Sequence, residues 1–158
     1  MSKKVERISH LLKKANEGNY LLNSTHSGVV HIHRNKNKEW GYVYVNKQLF
    51  MQRRSDALDE TISEWKVPDI LPHVSIFTKE EVKLIPDGFK IPSKMDYTLT
   101  GKIKIIKPKD WLGVSECVFE VVLCEEIIEI RKKLGFPAYL FNDHEFHVTL
   151  GIKRNQPN

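Results

Sequence analysis

Two short stretches, HVSIF at 73–77 and HVTLG at 147–151, repeat one order: an imidazole, a branched apolar residue, then a hydroxyl. Residues i and i+2 of a β-strand point to the same side. His73 and Ser75 therefore share one strand face, and His147 and Thr149 share another, each pair about 7 Å apart. Val74, Ile76, Val148 and Leu150 are left to anchor the opposite faces in a core. Two imidazoles across one groove can accept one proton and donate another. Histidine suits both tasks because its ordinary pKa lies near neutrality. The two hydroxyls can hold the oxygens of a phosphate between the rings. Acid–base chemistry of this kind needs no metal and no covalent intermediate.

The surrounding elements must bring the two strands together. Val5, Ile8, Leu12 and Ala15 recur at helical spacing over 3–17, between Ser2 as N-cap and Gly18 as stop. VVHIHR (29–34) and WGYVYV (40–45) alternate with period two around the turn-rich NKNKE, which predicts a hairpin with Trp40, Tyr42 and Tyr44 on one face. Ser55, followed by Asp56, Asp59 and Glu60, reads as the cap of a second helix that carries Leu58, Ile62 and Trp65 and stops before Pro68. The Pro-, Gly- and Lys-rich segment 80–97 reads as a loop crossing between two halves. Thr98–Ile106 and Cys117–Leu123 read as antiparallel strands joined through KPKDWLG. CEEIIEIRKKLGFP (124–137) has acids in its first turn, lysines in its last and Gly135 at the stop, so both helix ends obey the dipole and capping rules. HEFHVTLGIK (144–153) returns as a strand. The plan is α+β, with each half ending on a strand that opens with histidine.

A chain of 158 residues fits a single domain over 1–158 with a self-supporting core. Its two cysteines, Cys117 and Cys124, have neither zinc nor redox spacing and read as core residues in a reducing compartment. Glu6 and His10 interrupt what would be the apolar stretch of a signal peptide, and no run approaches the roughly 20 apolar residues of a membrane span. A cytoplasmic, monomeric protein without membrane partners is expected. The net charge of +5 favours anionic partners, among which nucleotides and nucleic acids are the commonest.

HVSI at 73–76 and HVTL at 147–150 resemble the paired His-x-Thr/Ser-x motifs of the 2H phosphoesterases. Their separation, and the strand pair and helix that precede the second motif, are similar to the family's. The resemblance covers roughly 55–154 and leaves the helix and hairpin of 1–54 as an extension or divergent lobe. It implies a bilobal α+β fold, with two small antiparallel sheets around a central groove and helices outside. It also implies His73 and His147 as the acid–base pair, with Ser75 and Thr149 on the phosphate oxygens. The family's substrates are 2′,3′-cyclic phosphates, 2′-5′ linkages, and the cyclic or 2′-5′ oligonucleotide messengers that small viral members destroy to evade immunity. A nucleotide, cyclic oligonucleotide or RNA end is accordingly the expected partner. The alternative is a module that binds such a ligand in the same groove without cutting it.

Further candidates line the motifs. Lys153, two residues beyond Gly151, is expected on the face of Thr149 and within reach of phosphate. Tyr139 and Phe141, just before the second motif, and Tyr42, on the hairpin with Trp40 and Tyr44, are candidates to stack on bases. Lys102 and Lys104 share one face of their strand, either solvated or attracting phosphate. His31 and His33 are also an i, i+2 pair, open to a metal together with His144 or His147 or, alternatively, to solvent or substrate.

Overall fold

β-branched and aromatic residues alternating with polar ones build six strands, the commonest regular element among the described residues. The computed structural model describes residues 22–35, 40–109, 111–140 and 144–155. The helix expected over 3–17 lies outside these residues, as does Phe141. In chain order the elements are β1 (Ser24–His33), β2 (Trp40–Tyr44), α1 (Lys47–Leu58) running into a 3₁₀ turn (Asp59–Glu64), β3 (His73–Phe77), α2 (Lys79–Leu84), β4 (Lys94–Ile106), β5 (Val114–Leu123), α3 (Glu125–Lys133) and β6 (His147–Arg154).

The strands close into one ring in the order β1-β2-β3-β6-β5-β4, every neighbour antiparallel. Two separate sheets were expected. The hairpin joins them, because the first part of β1 (Ser24–Val29) pairs with β4 and the rest (Val30–His33) pairs with β2. Gly28 sits at the changeover, where an added Cβ would lie 2.4 Å from the Tyr44 carbonyl oxygen, so only glycine lets the strands approach. β3 and β6, which open on the two histidines, meet through the single pair Val74–Val148.

One sheet face carries the core. Val43, Val74, Ile76, Leu99, Val122, Val148 and Leu150 pack there with Phe50 and Leu58 of α1, Val82 of α2 and Ile127 and Ile130 of α3. Cys117 and Cys124 are buried thiols, as expected.

Helix α1 corrects the sequence expectation. It begins about nine residues earlier than Ser55, at Asn46, whose Oδ1 accepts the amides of Gln48 (2.9 Å) and Leu49 (3.1 Å). Ser55 lies inside the helix, and its carbonyl accepts the amide of Asp59. The buried stripe of α1 is Phe50, Arg53, Arg54, Ala57 and Leu58, helical spacing with two arginines in it. Arg53 forks onto the fully buried carboxylate of Glu120, which also accepts the amide of Gly101 at 2.8 Å. Gly101, at φ +80°, makes the bulge in β4 that brings this amide inward. Arg54 donates instead to the carbonyls of Leu150 (3.0 Å), Trp65 and Ile62, tying α1 to β6 and to the segment leading into β3.

The segment 80–97 is more ordered than a loop. Thr78 and Glu81 form a reciprocal capping box that starts α2, and β4 begins at Lys94. Arg131 of α3, wholly buried, places two nitrogens on the Glu81 carboxylate (2.8 and 2.7 Å). It also donates to the carbonyls of Ile76, Pro137 and Tyr139. One guanidinium thus fixes the end of β3 and the chain leading toward β6.

Candidate active site

The strand face turned away from the core carries the polar residues of both motifs. His73, Ser75, His147 and Thr149 line one cavity of about 360 Å³, together with Trp40, Asp69, Ile70, Trp111, Ile152 and Arg154. Val74, Ile76, Val148 and Leu150, on the opposite face, are buried at 2% exposure or less, which is what sets the imidazoles and hydroxyls facing the cavity.

Both histidines are held in the same way. The Nδ1 of His73 donates to the carbonyl of Leu71 (2.7 Å), and the Nδ1 of His147 donates to the carbonyl of Glu145 (3.0 Å), each acceptor two residues earlier. A carbonyl can only accept, so each Nδ1 carries a proton and the neutral rings keep their lone pairs on Nε2. Each ring also backs onto aromatic residues. His73 meets Trp40 edge-on at 4.6 Å between centroids and Tyr42 at 5.4 Å, and His147 lies 4.5 Å from Phe119.

That packing sets the charge balance. Burial lowers the pKa of His73 below its ordinary 6.5; the bond to Leu71 opposes this, and the charge of His147 reinforces it. Burial likewise lowers His147, opposed by the bond to Glu145 and reinforced by His144. The two rings are close enough that protonating one disfavours protonating the other.

The remaining candidates divide. Lys153 does not line this cavity, because Phe119 pairs with Thr149 whereas Val118 pairs with Gly151, so β6 carries one extra residue and its alternation flips. Ile152 and Arg154 thereby reach the cavity, and the Lys153 ammonium lies 4.4 Å over the Trp65 ring and 3.8 Å from Glu116. Gly151 marks the place, since a Cβ there would lie 2.7 Å from that of Trp65. Tyr139 packs its ring on Phe146 against the main core instead of entering the cavity.

Tyr42 is buried beside His73, and its hydroxyl shares hydrogen bonds with His33 Nε2 and with Tyr44, both 2.9 Å. Burial, the Tyr44 bond and the Tyr44 charge push its pKa up to about 12. His31 stacks on Tyr42 and lies 4.1 Å from His33, so the hairpin pair belongs to an aromatic cluster. Among the described residues no group of three or more His, Cys, Asp or Glu is arranged to hold a metal. Lys104 forms an ion pair with Glu145 at 2.9 Å, next to the carbonyl that orients His147.

Asp69, Ile70 and Trp111 had no signal of their own in the sequence. They sit on connections that only the closed ring brings to the histidines. No helix among the described residues is long and apolar enough to cross a membrane.

The family model described as the Swiss Army Knife 2H phosphoesterase domain matches residues 40–157. The match takes in β2, which the motif resemblance had left outside, as well as both His-x-hydroxyl strands. No curated protein and no solved structure matches the chain. With well over half of its residues covered by that model, the chain belongs to the 2H phosphoesterase family.

Proposed function

We propose that the protein is a phosphodiesterase that cleaves an RNA-type phosphodiester bond in a small nucleotide by two-histidine acid–base catalysis, without a metal. The observation that carries this reading is the matched orientation of the two rings. Each Nδ1–H is committed to a backbone carbonyl, which leaves Nε2 of each ring for the substrate.

One Nε2 takes the proton from a ribose hydroxyl or a water as its oxygen bonds to phosphorus. The other, already protonated, gives its proton to the oxygen that leaves. The ring charges exchange and the site resets by proton transfer with solvent. Ser75 and Thr149 donate to the non-bridging oxygens, where preorganised donors act most strongly as charge builds in the transition state. The substrate class is a 2′,3′-cyclic phosphate, a 2′-5′ oligonucleotide or a cyclic oligonucleotide messenger.

The test is chromatography of these substrates incubated with chelator-dialysed protein. His73→Ala and His147→Ala should each lower kcat by about 10²–10⁴-fold. Full activity in both variants would overturn the proposal. Recovery of every ligand intact after long incubation would favour a binding module instead.

A further inference from the structure

Beyond the two histidines the cavity continues along β6 to Arg154, and its composition changes. Arg154 and Asp69 line this end and form an ion pair with each other, their side chains 42% and 82% exposed. A pair this open to solvent is weakly held, so a better anion can displace the carboxylate. Around it the walls are apolar and unusually exposed. Ile70 and Trp111 line the cavity at 54% and 40% exposure, and Leu71 and Leu112 continue the same two lips outward.

The lip bearing Asp69 and Ile70 is anchored near its base. Lys66 and Ile152 exchange two backbone hydrogen bonds, each 2.9 Å, and Arg54 holds the Trp65 carbonyl. The flip of alternation in β6 is what aims Arg154, rather than Lys153, at the cavity. A guanidinium beside an exposed indole suits a phosphate joined to a nucleobase, the first through paired N–H donors and the second through stacking. Strand rise of about 3.3 Å per residue separates the backbones of Thr149 and Arg154 by roughly 16 Å. Arg154 lines the same cavity as both histidines and both hydroxyls.

We infer that Arg154, latched to Asp69 when the site is empty, releases it to hold a second phosphate adjoining the scissile one, with the attached base on Trp111. The preferred substrate is therefore an oligonucleotide or a nucleotide bearing two phosphates, and a lone mononucleoside cyclic phosphate is a poor one. This rests on the reading of His73 and His147 as the reacting centre, but its test needs no turnover.

The probes are adenosine 3′,5′-bisphosphate and adenosine 5′-monophosphate, titrated calorimetrically at fixed salt. The bisphosphate should bind about tenfold or more tightly, as one added charge-assisted phosphate contact implies. Arg154→Gln should remove that advantage while changing monophosphate binding less than twofold, and Arg154→Lys should keep part of it. Asp69→Asn should tighten bisphosphate binding, because it removes the competing carboxylate. An ion pair that only braces the fold predicts that Arg154→Gln and Asp69→Asn change affinity in the same direction; that result, or equal affinity for both probes, would overturn the inference. His73→Ala should retain the preference, so a failure of the two-histidine chemistry would be seen separately, in the cleavage assay.

Discussion

Trp40 meets His73 edge to face, ring centroids 4.6 Å apart and planes at 83°, so the hairpin strand supplies one wall of the first motif's imidazole. Burial is the leading cause of the lowered His73 pKa, and Trp40 is part of what buries it. Trp40→Ala should therefore raise that pKa toward 6.5, while Trp40→Phe should change it little. Titration of the imidazole proton resonances by NMR checks this, and an unchanged or lower value in the alanine variant would contradict it.

The two depressed imidazoles also fix the pH profile. The proposed catalysis needs one ring neutral and the other protonated, and both pKa values lie below 6.5 in the free protein. The optimum of kcat/KM should accordingly fall below pH 6.5. A bound phosphate favours the charged rings, so the kcat profile should move to higher pH. A kcat/KM optimum above pH 6.5 would disagree with the placement of the rings.

Arg131 and Glu81 provide a stability prediction. Arg131→Met removes a guanidinium that satisfies the Glu81 carboxylate and three carbonyls, and should destabilise the fold by about 3–5 kcal/mol in urea titration. Burial raises the Glu81 pKa, but the bonds from Arg131 and Thr78 outweigh it, leaving the group below its ordinary 4.5. Its contribution is thus fully present above that value and lost as pH falls through the folded one. The wild type should lose stability in acid through this group, and Glu81→Gln should show a flatter dependence below pH 4.5.

Gly151→Ala tests the bend in β6. The new methyl would lie 2.7 Å from the Trp65 Cβ and 3.3 Å from a methyl of Val118, a steric insertion worth about 1–3 kcal/mol of lost stability. A thermal midpoint unchanged from wild type would show that the strand can relax there.

These sites also mark where sequence patterns are informative. The two motifs, α3 with its capped ends, the hairpin and the β4–β5 pair follow from period two, period 3.6 and capping chemistry acting locally. The start of α1 did not stand out because Arg53 and Arg54 occupy core positions in its buried stripe and break the apolar period, and Ser55 with its acidic neighbours mimics a cap. Arg154 rather than Lys153 faces the cavity because a one-residue bulge inverts strand alternation without leaving a mark in composition. Closure of the ring through β1 is a long-range pairing, and no local pattern specifies it.

In the proposed reaction one histidine removes a proton and the other delivers one to the leaving oxygen. The most direct measurement compares His73→Ala and His147→Ala on a natural alkoxide-leaving dinucleotide and on the corresponding nucleoside p-nitrophenyl phosphodiester, whose leaving group departs without a proton. One of the two variants should recover most of its rate on the nitrophenyl ester, and the other should stay impaired on both substrates by about 10²–10⁴-fold. Wild-type rates in both variants on both substrates, or equal recovery of both on the ester, would contradict the division of labour between His73 and His147.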